Sequence, residues 1–183
     1  MSGAFKLTVD KYEQMIRSGI LGENDPVELI RGKLVAKMPV APRHSACVKR
    51  LNRLFHSKLS DHALVGIRNP VHLPESEPEP DAYLANLRED CYENEHPTAK
   101  DLLLVIEVAD SSLEYDRTVK LSLYAEAGIR EYWIVNLLDE QIEVYRDPQP
   151  SGEYREAVIL KRDADAEPLA FQGVKFAVAE IFA

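Results

Sequence analysis

"LLLVIEVA", residues 102–109, decides how this chain is read. If the run is a strand, Leu103, Val105, Glu107 and Ala109 share one face, and Leu102, Leu104, Ile106 and Val108 share the other. Apolar residues on both faces fit a strand covered on both sides, at the centre of a sheet with layers above and below. Glu107 is then out of place. Either the strand's C-terminal end reaches solvent and the acid is merely exposed, or the acid is buried or opens on a cleft. In the second case it must be neutral, paired or on a metal, because burying an unpaired carboxylate is costly.

Downstream, Asp116 is available as the N-cap of a helix from Arg117 to Ala127 that Gly128 can stop. "REYWIVNL" and "QIEVYR" follow as two strands joined through Leu138-Asp139-Glu140, with Tyr132, Trp133 and Val144 expected in the core. "EYREAVIL" is a further strand, and the C-terminus reads as a weak strand or short helix. Upstream, "PEPDAYL" (residues 78–84) supplies a strand from Asp81 to Leu84 after the proline-broken loop "SEPEP". Residues 86–100 read as irregular, and "ALVGI" and "VHLP" as strand material. A helix runs from His44 to about Leu59, with Cys47, Val48, Leu51, Leu54 and Phe55 at helical spacing. "VELIRGKLVAKM" forms a hairpin around Arg31-Gly32, and Thr8 caps a first helix that ends near Gly19. This order describes a mixed α/β fold with one central sheet, in a single domain over residues 1–183.

The 183 residues carry a net charge of −9. That argues against a broad, passive nucleic-acid-binding surface, although an enzyme whose carboxylates are neutralised by metal ions is compatible with it. The one basic concentration, Arg43 to His62, reads as a solvated helix face. No apolar run approaches a membrane span, and the N-terminus lacks an apolar signal core, so a cytoplasmic location is expected. Cys47 and Cys91 form neither a disulfide framework nor a metal-binding spacing.

Asp81 alone is ambiguous, since Pro-Asp is a common turn pair. Its interest lies in the pairing with Glu107: acids on two neighbouring strands supply two hard oxygen ligands for Mg²⁺ or Mn²⁺. Lys120 is the third candidate. It either forms a surface pair with Asp116 four residues earlier or points at the metal site, where a cation could orient water or stabilise charge on phosphorus. Glu28, an acid among apolar neighbours in "VELI", either extends the metal shell or sits half-exposed on its strand.

On these residues the chain resembles the Uma-type restriction endonuclease family of the PD-(D/E)XK nuclease superfamily. The matching stretches are "YEQMIRSGI", "VELIRGKLVAKMPVAPRH", "PEPDAYL", "LLLVIEVADSS", "DRTVKLSLYAEAGIREYWIVNL" and "IEVYR", which span roughly Leu7 to Arg146. The family's proline-aspartate falls on Pro80-Asp81, and its second acid on Glu107. The superfamily pattern places lysine two residues later, where this chain has Ala109; in this family the lysine moves to the following helix, here Lys120. Glu28 matches an acid in the first hairpin, and His44 a histidine at the start of the next helix.

The resemblance implies a restriction-endonuclease-like mixed sheet flanked by helices, with Asp81 and Glu107 holding a divalent cation. It implies DNA as substrate, phosphodiester hydrolysis through metal-activated water, and a homodimer in which each subunit cuts one strand. The alternative is a catalytically inactive nucleic-acid- or protein-binding module on the same fold, motivated by Ala109 and the acidic surface.

Overall fold

A computed structural model describes residues 5–22 and 25–182. The chain begins with α1 (Val9–Arg17), the hairpin β1 (Val27–Ile30) and β2 (Lys33–Ala36), and α2 (Pro42–Leu59). Next come β3 (Leu64–Gly66), β4 (Ala82–Ala85) and β5 (Leu102–Ala109). One continuous helical segment follows, made of α3 (Leu113–Tyr115), a π-helical turn at Asp116–Lys120, and α4 (Leu121–Glu126). The strands β6 (Glu131–Asn136), β7 (Gln141–Gln149) and β8 (Glu153–Leu160) lead to β9 (Asp165–Ala166), β10 (Phe176–Ala177) and α5 (Val178–Phe182).

The central sheet has six strands in the order β3-β4-β5-β6-β7-β8. Only β5 and β6 are parallel, joined by the helical segment; the other neighbours are antiparallel. One face packs on α2 and α5, where Leu51, Phe55 and Ile181 meet Leu104, Ile106, Val108 and Trp133. The other face packs on α4 and the first hairpin, where Tyr124 and Ile30 meet Val105, Tyr132 and Ile134. Both faces of β5 and β6 are therefore covered, which is why these two strands carry apolar residues without alternation.

The short elements follow their local chemistry. Thr8 accepts a hydrogen bond from Lys11 N and caps α1. Arg31 and Gly32 both have positive φ, as a two-residue hairpin turn requires. Tyr132, Trp133 and Val144 are buried. The charged side of α2 faces solvent at Arg43, Lys49, Arg53, His56 and Lys58. Among the described residues no helix is long and apolar enough to cross a membrane, and both cysteines are free.

Three expectations are corrected. The helix before β6 starts at Leu113, not at Arg117, and Asp116 is not its N-cap: Asp116 N–H donates to Ser112 O at 2.9 Å, and the residue is buried within the π-helical turn. "VHLP" forms no strand; Val71 and Leu73 are buried, but only isolated bridges form there. Pro70 and Pro74 bracket that segment and remove the amide donors a ladder needs. Finally, β5 does not alternate strictly. The register slips beside Leu103, so that Leu84 pairs with Leu104 but Ala85 with Leu102. This bulge turns Leu103 toward the α2 side and Leu102 toward the α4 side.

Candidate active site

The two acids on strands are adjacent. β4 and β5 run antiparallel with Ala82 opposite Ile106, which sets Asp81 beside Glu107. The backbone locks this arrangement in both directions. Val108 N–H donates to Asp81 Oδ2 at 2.9 Å, and Asp81 N–H donates to Glu107 Oε2 at 3.3 Å. Both residues are buried, at 8% and 6% exposure, and both line a cavity of about 700 Å³. Glu107 is therefore not an exposed strand end.

Lys120 enters from the helical segment. Its Nζ donates to Glu28 Oε2 at 2.8 Å and lies 3.4 Å from Glu107 Oε1. The π-helical turn carries both Asp116 and Lys120 on its buried side, and such turns recur at functional sites. No surface pair between Asp116 and Lys120 forms, because both residues face inward. Glu28, on β1, is buried rather than half-exposed; the same oxygen that binds Lys120 also accepts from Glu79 N–H at 3.2 Å. Four separate parts of the chain, β1, the start of β4, β5 and the helical segment, thus bring Glu28, Asp81, Glu107 and Lys120 to one cavity. Ala109, at the position where the superfamily pattern places its lysine, is fully buried in the apolar layer under α4.

Negative charge is in excess here. Burial pushes the Glu107 carboxyl up to about 8; Lys120 opposes the shift, while Asp81, Asp116 and Glu28 add to it. Asp116 is pushed up to about 6, again chiefly by burial, against a hydrogen bond from the Ser112 hydroxyl. Lys120 moves the other way from an ordinary buried amine. Burial works to lower it, but Glu107 and Glu28 outweigh burial and hold it above the usual lysine range, so it stays charged.

Further side chains complete the site. Tyr124 OH donates to Glu107 Oε1 at 2.7 Å. His44 Nε2 lies 2.9 Å from Asp81 Oδ2, and its buried Nδ1 has no partner among the described residues. Arg68 Nε reaches Asp81 Oδ1 at 3.4 Å. Asp116, Tyr124 and Arg68 were not recognisable as site residues by motif. For two of them a signal exists: Asp116, Lys120 and Tyr124 are spaced by four residues and so lie along one helical stripe.

The donor set fits a hard divalent cation. Asp81 Oδ2 and Glu107 Oε1 are well engaged by the protein. Asp81 Oδ1 and Glu107 Oε2, in contrast, receive only the long contacts from Arg68 and from Asp81 N–H. Each carboxylate oxygen has two lone pairs, so these two oxygens keep acceptor capacity. Carboxylate oxygens beside an acid-rich cavity suit Mg²⁺ or Mn²⁺, which need only one or two protein carboxylates when phosphates and water complete the shell.

A six-stranded mixed sheet between helices, with buried acids and a lysine at one end, defines a restriction-endonuclease-like protein. The chain belongs to the Uma2 family, described as "Putative restriction endonuclease", whose model matches residues 9–179. The structure is similar to the crystal structure of a "putative nuclease belonging to DUF820" from Anabaena variabilis ATCC 29413, with a TM-score of 0.72 and 19% sequence identity. That likeness covers 96% of this chain and 97% of the other. No curated protein matches the chain.

Proposed function

We propose that this chain is a metal-dependent endonuclease that hydrolyses DNA phosphodiesters in the cavity beside Glu28, Asp81, Glu107 and Lys120. The observation that carries this reading is the pair of buried carboxylates on adjacent strands, with a protonated lysine 3.4 Å from one of them. Asp81 and Glu107 would hold Mg²⁺ or Mn²⁺, which when bound supplies an activated water and charge neutralisation at the phosphate.

The chain's own residues supply position and charge. Lys120, held protonated, acts as a fixed cation toward the phosphate oxygens or the attacking water, not as a proton acceptor. Glu28 positions Lys120. Tyr124 fixes the Glu107 carboxylate, and the Val108 amide with His44 fixes Asp81 Oδ2. In the proposed homodimer each copy would cut one strand. The edge strand β8, with Val158 and Ile159 about half exposed, is the surface available for such contact.

A second reading is a binding module without turnover. It is favoured by Ala109 and by the closure of Lys120 onto two protein carboxylates. Plasmid nicking with Mn²⁺ and with Mg²⁺, comparing the wild type and Glu107→Gln, separates the two. Metal-dependent nicking by the wild type alone supports the nuclease. Binding of DNA with no nicking by either protein supports the module, and nicking that survives in Glu107→Gln removes the proposed site.

A further inference from the structure

Away from that cavity, Glu13, His72 and Glu77 bring one donor atom each to within 4.8 Å of one another. They come from three separate places. Glu13 is on α1, His72 is in the proline-bracketed segment before β4, and Glu77 is in the stretch that bridges to Leu29 of β1. None of the three lines the candidate active-site cavity.

Glu77 is the anomaly. It is 3% exposed, and its Oε2 has no hydrogen-bond partner among the described residues. A buried carboxylate oxygen without a partner is strongly disfavoured. Its surroundings make matters worse: burial, Glu13 and Glu79 push the Glu77 carboxyl up to about 7, against the opposing pull of Arg17. Arg17 is itself engaged by Glu13 Oε2. The backbone nevertheless holds the ligand positions firmly. Glu77 N–H donates to Leu29 O at 2.8 Å, and His72 N–H donates to Pro97 O at 2.8 Å.

We propose that Glu13, His72 and Glu77 form a second metal site, which takes a Zn²⁺-class transition ion and ties α1 to the loop before β4. One imidazole with two carboxylates is a donor set suited to such an ion, more than to Mg²⁺ or Ca²⁺. Ligand bonds of about 2.0–2.2 Å in tetrahedral geometry put neighbouring donors roughly 3.4 Å apart. A spread of at most 4.8 Å therefore closes by no more than about 1.4 Å on binding, within reach of rotation by the partly exposed Glu13 side chain. A water completes the shell. The ion would give the Glu77 oxygen its missing partner and offset the surrounding negative charge.

The test is calorimetric titration of Zn²⁺ into the Asp81→Asn/Glu107→Gln chain, in which the two carboxylates proposed to hold the active-site metal can no longer compete. Binding of about one ion per chain is expected, weakened at least tenfold by adding either His72→Ala or Glu77→Gln. At a Zn²⁺ concentration a hundred times Kd, Tm should rise by roughly 5–10 °C. To guard against misfolded variants, the His72 ring resonances of the wild type should shift on adding Zn²⁺. An absence of Zn²⁺ binding in the double variant, binding indifferent to His72 and Glu77, or an unmoved His72 resonance would overturn the site.

Discussion

Replacing Lys120 by Met tests the architecture of the site before any chemistry is measured. The lysine is 4% exposed and is shared by two carboxylates, Glu28 at 2.8 Å and Glu107 at 3.4 Å. Methionine keeps most of the volume and removes the charge. Glu28 and Glu107 then lose the cation they share, and Arg68 reaches only Asp81. Removing one partner of a buried ion pair costs about 3–5 kcal/mol, because the remaining charge is left uncompensated. For a chain of this length each kcal/mol moves Tm by about 2–4 °C, so Lys120→Met should melt roughly 6–20 °C below the wild type. Adding Glu28→Gln removes one of the stranded charges while leaving an amide oxygen for the Glu79 N–H. The double variant should therefore recover about 1–3 kcal/mol relative to Lys120→Met alone. Urea unfolding at pH 8 with an unchanged m-value reads both effects. If Lys120→Met unfolds within about 0.5 kcal/mol of the wild type, the lysine is not the shared counter-ion of Glu28 and Glu107, and the site as described is wrong.

Other consequences are equally direct. Tyr124→Phe removes the donor to Glu107 Oε1 and leaves a buried acceptor short of one bond, so it should lower stability by about 1–3 kcal/mol in thermal melts and slow any metal-dependent nicking. Gly66→Ala places a Cβ 2.0 Å from the buried Tyr83 ring, and overpacking of about 1–3 kcal/mol or more should appear as a lower urea midpoint. Glu143 is buried at the start of β7. Burial works to raise its carboxyl, but hydrogen bonds from Arg117, Asn136 and Tyr145 outweigh burial and hold it down at about 2. A depressed carboxyl stabilises the fold above its unfolded pKa of roughly 4.3. That contribution, at most about 3 kcal/mol and less for the partly exposed Arg117, should fade as pH falls from about 5 to 2. Glu143→Gln should flatten the acid limb of a pH–stability curve.

Much of the fold was legible because its strongest signals are local. The doubly apolar Leu102–Ala109 run, the Arg31-Gly32 turn, the Thr8 cap and the helical spacing of Cys47 to Phe55 each carry their own physical cause, and each holds. What failed depended on long-range context. The bulge at Leu103 arises because Ala85, on the neighbouring strand, pairs with Leu102. "VHLP" has the burial of a strand but not its ladder, because its flanking prolines cannot donate. Asp116 has the residue type of a cap, yet the helix starts earlier and buries it beside Lys120. At the site, the two acids stood out because a sheet interior has little use for carboxylates. Their closeness could not be read, since a connection of that length permits either strand direction. The antiparallel register of Ala82 with Ile106 brings them together. Tyr124 shares only a four-residue spacing with Lys120, and Arg68 carries no signal at all and acquires meaning only from the oxygen it touches.

Whether Asp81 holds a catalytic metal is decided by the single-turnover nicking rate of supercoiled plasmid across a Mn²⁺ titration, measured for the wild type and Asp81→Asn, with melting curves confirming that both are folded. The wild-type rate should saturate with Mn²⁺, and the Asp81→Asn rate should be lower by at least about a hundredfold at every concentration, on the scale of removing one electrostatic group from a hydrolytic site. Equal rates for the two proteins, or nicking that does not respond to Mn²⁺, would contradict that role for Asp81.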